Sequence, residues 1–397
     1  MASILAAPPA QPALPLIGLG AAIGALELVC GFVYPAMALS LEARGASLAL
    51  IGCQAAMVGV GLTLSALLVP WLSGRLGALR LGRANLALAS LAVLAFGLVE
   101  GVGWWFALAL LLGVTINIWY VQSETWINQL ALDHSRGRTV GLVGGLREGA
   151  GACGPLLIPL LGVAGPAPYA LMALAVAAAG LALPGLRPHL AQPRAPQPKE
   201  FLATVRVIPV LLLAVVVSGY FSGAVLPFWL IYAAERGVAT DHAALTLSLI
   251  VLGNIVLQLP IGLLADQAPA HRVLAGCALG AALGALLLPA LDLGGWLAWP
   301  VLLAWGALSF GVYTLALILI GRHFPPERLV VATAAFGAMW GAGMLLGSAL
   351  TGQIMALVGP EGLPASIALA YLPVAGLARR AAPAGATLRR ASRPLPA

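Results

Sequence analysis

The chain has 397 residues, of which 61% are hydrophobic and only 8% are Asp, Glu, Lys or Arg, with a formal net charge of +7. A water-soluble domain carries roughly a quarter charged residues, so this composition excludes an ordinary soluble protein and predicts a chain that crosses a membrane repeatedly. The net charge does not point to nucleic acid, because the basic residues sit in short links where the positive-inside rule accounts for them.

Stretches of about 20 apolar residues, enough to cross a ~30 Å hydrocarbon core as helix, recur twelve times. They fall at 15–40, 47–72, 82–99, 104–130, 139–163, 167–186, 207–234, 243–265, 271–290, 296–321, 328–357 and 363–378. The opening "MASILAAPPAQPALPLIG" has no Lys or Arg ahead of the first span. It lacks the basic region of a cleavable signal peptide, and the first helix is expected to stay in the protein. The links on the side of the two chain ends hold Arg75, Arg80, Arg83, Arg136, Arg138, Arg187, Arg194, Lys199, Arg206, Arg272, Arg322 and Arg328, with five more arginines from Arg379 to Arg393. The opposite side holds only Arg44 and Arg236. This asymmetry predicts that both termini are cytoplasmic, in a bacterial-type cytoplasmic (inner) membrane. Cys30, Cys53, Cys153 and Cys277 all fall inside spans without ligand spacing, so neither a disulfide nor a metal site is expected.

After the sixth span, "LRPHLAQPRAPQPKEFLATVR" (Leu186–Arg206) is Pro-rich and basic and reads as a linker. The sequences on its two sides resemble each other at an offset of about 190 residues, which supports an internal duplication. "GFVYP" (Gly31–Pro35) matches "GAVLP" (Gly223–Pro227), Pro70 matches Pro260, and the stretch from Arg138 matches the stretch from Arg328, with Gly151 opposite Gly341. The expected fold is all-α and integral to the membrane, with twelve transmembrane helices in two pseudo-symmetric six-helix bundles. Residues 1–186 form the first bundle, 187–206 the linker, 207–380 the second bundle and 381–397 a basic tail.

Four charged residues fall well inside spans: Glu27, Glu124, Arg147 and Glu148. Such a charge costs about 2.5–3.5 kcal/mol on insertion scales, so it is paired or faces a cavity. The midpoint of 124 and 147 lies in the "DHSRG" link, which places Glu124 and Arg147 at similar depth on a hairpin and predicts an ion pair. Three carboxylates then share one arginine, and Glu27, Glu124 and Glu148 are candidate proton carriers. The plain alternative is that these groups only neutralise one another. Glu27 lies near the midplane with no basic residue close in sequence. All five histidines lie in links or at span ends, which disfavours a histidine relay.

Two stretches resemble motifs of the major facilitator superfamily of secondary transporters. "GLLADQAPAHR" (Gly262–Arg272) is similar to that family's Gly-x-x-x-Asp loop in Gly262, Asp266 and Arg272, and departs from it at Gln267 and Pro269. The matching loop of the first half, "SGRLGALRLGR" (Ser73–Arg83), lacks the acid. "GACGPLLIP" (Gly151–Pro159) resembles the Gly-Pro motif of the fifth helix in the family's antiporters. Gly141, Gly154 and Pro155 fit it, while Ala150 and Ile158–Pro159 stand where glycines are usual. The resemblance implies that the first, fourth, seventh and tenth helices line a central cavity. It also makes Gly154 and Pro155 a flexible gating point, with Asp266 near the start of the fifth helix, beside Arg138, as a latch. Candidate cavity residues are Tyr34, Asn117, Tyr120 and Gln122, then Tyr220, Phe221, Trp229, Trp305 and Tyr313, with Asn254 and Gln258 on the eighth span. Trp104 and Trp105 read instead as interfacial belt residues.

Together these features predict a secondary transporter that moves a small organic molecule by alternating access. Proton-coupled export is favoured over its rival, an uptake permease for a vitamin-like or amino-acid-like nutrient. A membrane sensor would carry a sizeable soluble domain and an enzyme would cluster His, Asp or Cys near an interface; the sequence has neither, and it has no P-loop. The expected partners are substrate, protons and the lipid bilayer. The chain is expected to be a monomer that needs no cofactor and binds no nucleic acid.

Overall fold

In hydrocarbon a backbone must satisfy its own N–H and C=O groups, and an apolar segment does so by forming helix. The computed structural model describes residues 13–130, 136–181, 183, 208–323 and 326–380. The first four spans are Ala13–Ala43, Leu48–Leu76, Ala78–Leu98 and Val102–Leu130. The fifth runs over Arg136–Cys153, passes through a 3-10 turn at Pro155–Leu157 and ends in one turn of helix, Ile158–Leu161. The sixth is Pro166–Leu181. In the second half the seventh span is Pro209–Glu235, and the eighth is Thr240–Val256 followed by Gln258–Gln267. The ninth to twelfth are Ala270–Leu287, Ala298–His323, Pro326–Val358 and Gly362–Arg380. Among the described residues ten of these spans are long and apolar enough to cross a membrane; the sixth has only 16 helical residues and the fifth is divided. The expected linker at 187–206 and tail at 381–397 lie outside the described residues.

Two spans are broken, each at a place the chain dictates. Pro155 has no N–H to give the carbonyl of Gly151, so Gly154 bonds that carbonyl instead at 3.1 Å and the helix tightens. In the eighth span Pro260 leaves the Val256 carbonyl without its helical partner in the same way. Leu257 stands at the break with φ −103° and ψ 0°.

The duplication is visible in the turns. The first span ends with Gly45 at φ 77° and the seventh with Gly237 at φ 75°, 192 residues later, a left-handed geometry that glycine adopts without strain. In both turns the same amides return to the same carbonyls: Ala46 to Leu41 and Val238 to Ala233, each at 3.0 Å. The arginine before each glycine reaches a carbonyl in the link after its half's third span. Arg44 Nη1 donates to Glu100 O at 2.8 Å, and Arg236 Nη2 donates to Pro289 O at 2.8 Å. Their further partners differ. Arg44 lies over the Trp105 ring at 4.6 Å, whereas Arg236 pairs with Glu361 at 2.7 Å. Trp105 is therefore fully buried, edge-on to Phe96, and not an interfacial belt residue as expected. Trp104 is two-thirds exposed.

Inside each half, small residues bring backbones together where no hydrophobic drive acts. Gly31 of the first span abuts Gly151 and Gly154 of the fifth, and Gly223 of the seventh abuts Met344 of the eleventh. These are equivalent helix pairs of the two halves.

Candidate functional site

The polar residues of the membrane interior collect where the halves meet. On the first span Glu27, Cys30 and Tyr34 follow at i, i+3 and i+7 and so share one face. On the fourth, Asn117, Tyr120 and Glu124 do the same. Arg147 of the fifth span sits among them. Its Nη1 lies 3.3 Å from Glu124 Oε1, and its Nε lies 3.5 Å from Glu148 Oε1 and 4.0 Å from Glu27 Oε1. The guanidinium also stands 5.4 Å from the centre of the Tyr120 ring, whose hydroxyl lies close to the Glu27 carboxylate. Glu27, which has no base near it in sequence, is thus not isolated: folding brings Arg147 to it. Arg147 is thus in reach of three carboxylates at once, more than one guanidinium can fully satisfy.

The second half closes the site. Asn254 Nδ2 of the eighth span donates to Glu148 Oε2 at 2.9 Å, a bond between the two halves. Tyr313 of the tenth span is within electrostatic reach of Glu124, Arg147 and Glu148, and its ring packs 4.9 Å from that of Trp340. Glu124 is 55% exposed although it lies between elements of both halves. Glu124 thus stands where elements of the two halves face each other.

Among the described residues the seams between the halves are in contact toward one end only. The second and eleventh spans touch through glycine: a Cβ on Gly52 would lie 2.5 Å from Ser348 O, and one on Gly341 would lie 2.7 Å from Thr63 Oγ1. One turn nearer the chain ends, Gly337 is exposed and a Cβ there would meet none of the described residues. The fifth and eighth spans behave alike. A Cβ on Gly149 would lie 3.9 Å from Ile255 Cδ1, while one on Gly145 or Gly141 would meet none of the described residues. Among the described residues, then, the glycines of these seams meet the opposite half toward the far end and not toward the end where the first span begins and the twelfth stops.

Several expected cavity residues lie elsewhere. Gln122 is fully buried against the third span, donating to Ala78 O at 3.1 Å. Phe221, Trp229 and Trp305 form a ring cluster inside the second half, with Phe221 and Trp305 centroids 5.0 Å apart. Trp229 and Trp305 spend their indole N–H groups there, on Thr246 and Ala281. Tyr220 is buried beside Thr351 of the eleventh span, whose hydroxyl donates to it at 3.3 Å. Tyr34 and Asn117 are buried, and the Asn117 Nδ2 finds no acceptor among the described residues. Among the gating residues, Gly154 packs so closely on the first span that a Cβ would lie 2.5 Å from Leu28 O, and Pro155 is buried beside it. Asp266 is held at 2.7 Å by Arg322 of its own half. The side chain of Arg138 lies outside the described residues. Sequence reading passed over Arg322 and Trp340, whose roles depend on contacts between distant spans.

The sequence profile of the Major Facilitator Superfamily matches residues 17–348 and 211–397. A curated relative, the uncharacterized MFS-type transporter YfkF of Bacillus subtilis (strain 168), is 24% identical over 258 residues, which cover 62% of this chain and 64% of the relative. The chain thus spans just under two thirds of that relative's length. Among solved structures, the nucleoside transporter NupG superposes with a TM-score of 0.77 at 12% identity, covering 92% of this chain and 98% of NupG. A bacterial homolog of the human lysosomal transporter Spinster, in an inward-facing and unoccupied conformation, superposes with a TM-score of 0.74 at 12% identity, covering 98% of this chain and all of that one. At such identities the likeness concerns the fold.

Proposed function

The chain belongs to the Major Facilitator Superfamily, and we propose that it exports a small organic solute from the cytoplasm in exchange for protons, by alternating access. Its twelve-span fold and its family support secondary transport. The observation that carries the coupling is the cluster in which Glu27, Glu124 and Glu148 share Arg147 between the halves. A proton added to one carboxylate frees Arg147 to lean on the others, so protonation redistributes the pairing without stranding a buried charge. Glu27 is the leading carrier, because it is the most enclosed of the three, with only 15% of its side chain exposed. With both termini cytoplasmic, as the arginine asymmetry supports, the conformation described is open to the cytoplasm. Asp266 is then a latch: paired with Arg322 here, it would turn to the start of the fifth span, with its unpaired amides and Arg138, as the cytoplasmic end closes. The protein would act as a monomer in the inner membrane.

The test is transport in proteoliposomes with an imposed pH gradient, screening compound pools for movement against their own gradient. Glu27→Gln should abolish gradient-driven accumulation while leaving substrate exchange within about twofold of the parent. Undiminished accumulation in that variant removes Glu27 from the coupling path.

A further inference from the structure

The eighth span carries a hydrogen-bond chain that runs out of the charge cluster and across the helix break. Asn254 is 7% exposed and uses both ends of its amide. Its Nδ2 donates to Glu148 Oε2 at 2.9 Å, and its Oδ1 accepts from Gln258 Nε2. Between Asn254 and Gln258 the helix stops at Val256 and restarts at Gln258, and the Leu257 amide reaches Gly253 O only at 3.3 Å. The two side chains staple a discontinuity, and the staple is tied to the opposite half. Its place is also particular. Glu148 and Asn254 directly precede Gly149 and Ile255, beyond which the glycines of the fifth span, Gly145 and Gly141, meet none of the described residues.

From this juxtaposition we infer that Asn254 is a positioning residue of the transport cycle, reporting the pairing state of Glu148 to the movable segment Gln258–Gln267. The inference rests on the alternating-access reading of the site. Glu148 offers Oε1 to Arg147 and Oε2 to Asn254. The other groups around it are Glu27 of the first span, Tyr120 and Glu124 of the fourth and Tyr313 of the tenth. Whatever these groups do to the charge on Glu148 changes its strength as an acceptor, since hydrogen bonds to a charged acceptor are roughly twice as strong as neutral ones. When the bond weakens, Asn254 and Gln258 lose their anchor on the first half, and the segment beyond the break can swing toward the fifth span. Coupling then passes through a carboxamide with no charge of its own.

The experiment needs no substrate. Spin labels at Leu142 and Leu264, exposed on the fifth and eighth spans, report the separation of the open end in a background lacking the native cysteines. Asn254→Leu keeps the volume and removes both bonds. It should shift the ratio of long to short distances about tenfold toward short ones, the scale of one lost hydrogen bond to a charged group. Glu148→Gln should shift it in the same direction, and the double variant no further. The pair Glu148→Gln with Asn254→Asp exchanges donor and acceptor and should restore the parental distribution, which a residue that merely fills space would not do. Unchanged distances in Asn254→Leu, shifts that add in the double variant, or failure of the exchanged pair to restore would each overturn the inference. Should Asn254→Leu not fold, the exchanged pair decides alone. The outcome is separable from the transport assay: if a pH gradient drives no solute, proton coupling fails while the distances still judge Asn254. If transport is gradient-driven and the distances do not respond, Asn254 alone is wrong.

Discussion

Adding one methyl group at Gly52 should favour the alternative conformation of this protein. A Cβ there would sit 2.5 Å from Ser348 O and 3.0 Å from the Cα of Gly352, both backbone atoms of the eleventh span. Ordinary contact begins near 3.4 Å, so the second and eleventh spans must separate by roughly an ångström at this point, by the steric logic of an overfilled contact. Overpacking of this kind costs ~1–3 kcal/mol, and each ~1.4 kcal/mol is a tenfold change in an equilibrium. The cost falls on the conformer whose far end is closed, because a conformer with that seam parted has no clash. Gly52→Ala should therefore raise the ratio of far-end-open to far-end-closed molecules by roughly 5- to 150-fold. Labels at Leu50 and Leu357, both exposed at the far end, would show this in pulsed electron paramagnetic resonance as a gain of long distances. Gly337→Ala is the control, since its added Cβ meets none of the described residues. If Gly52→Ala leaves the distances unchanged, or Gly337→Ala moves them equally, the glycine contact is not what holds the far end shut.

Neutralising Arg147 should lower expression and thermal stability more than neutralising Glu124, because it leaves three carboxylates without the cation they share, whereas Arg147 without Glu124 still has Glu27 and Glu148; a double-mutant cycle with additive losses would show that the 3.3 Å pair is energetically idle. Asp266→Asn should raise the reactivity of cysteines placed along the fifth span's terminal half without changing substrate affinity in exchange. A fall in affinity with unaltered reactivity would assign Asp266 to the binding site and end the latch idea.

The spans were legible because lipid imposes one rule on every residue of a segment, and runs of Leu, Ala and Val announce it. The proximity of Glu124 and Arg147 was legible because a hairpin ties distance in sequence to depth. Which side of a helix faces the cavity was not. The seventh span is apolar around its whole circumference, so nothing in its pattern separates Trp229, turned into the second half, from a residue that lines the gap. Contacts between halves were equally hidden. Asn254 could be read as a polar residue in a span, but its bond to Glu148, 106 residues away, depends on how two bundles dock. Pro260 entered the sequence reading only as the match to Pro70, and the fold shows that the eighth span breaks ahead of it and that Asn254 and Gln258 bridge the break.

The arginine clasps at the far end have a further meaning for the ancestry of this chain. Arg44 and Arg236 occupy equivalent places, yet one stacks on a tryptophan and the other pairs with a glutamate. What they share is a carbonyl, of Glu100 in one half and Pro289 in the other. Side chains change as two gene copies drift apart, whereas a peptide oxygen is present whatever residue occupies the site. Descendants of a duplication can lose nearly all visible similarity and still keep such a bond, because mutation of the acceptor residue cannot delete it. In two halves as diverged as these, Arg44 on the Glu100 carbonyl and Arg236 on the Pro289 carbonyl keep the same kind of bond although the residues that supply the acceptors differ.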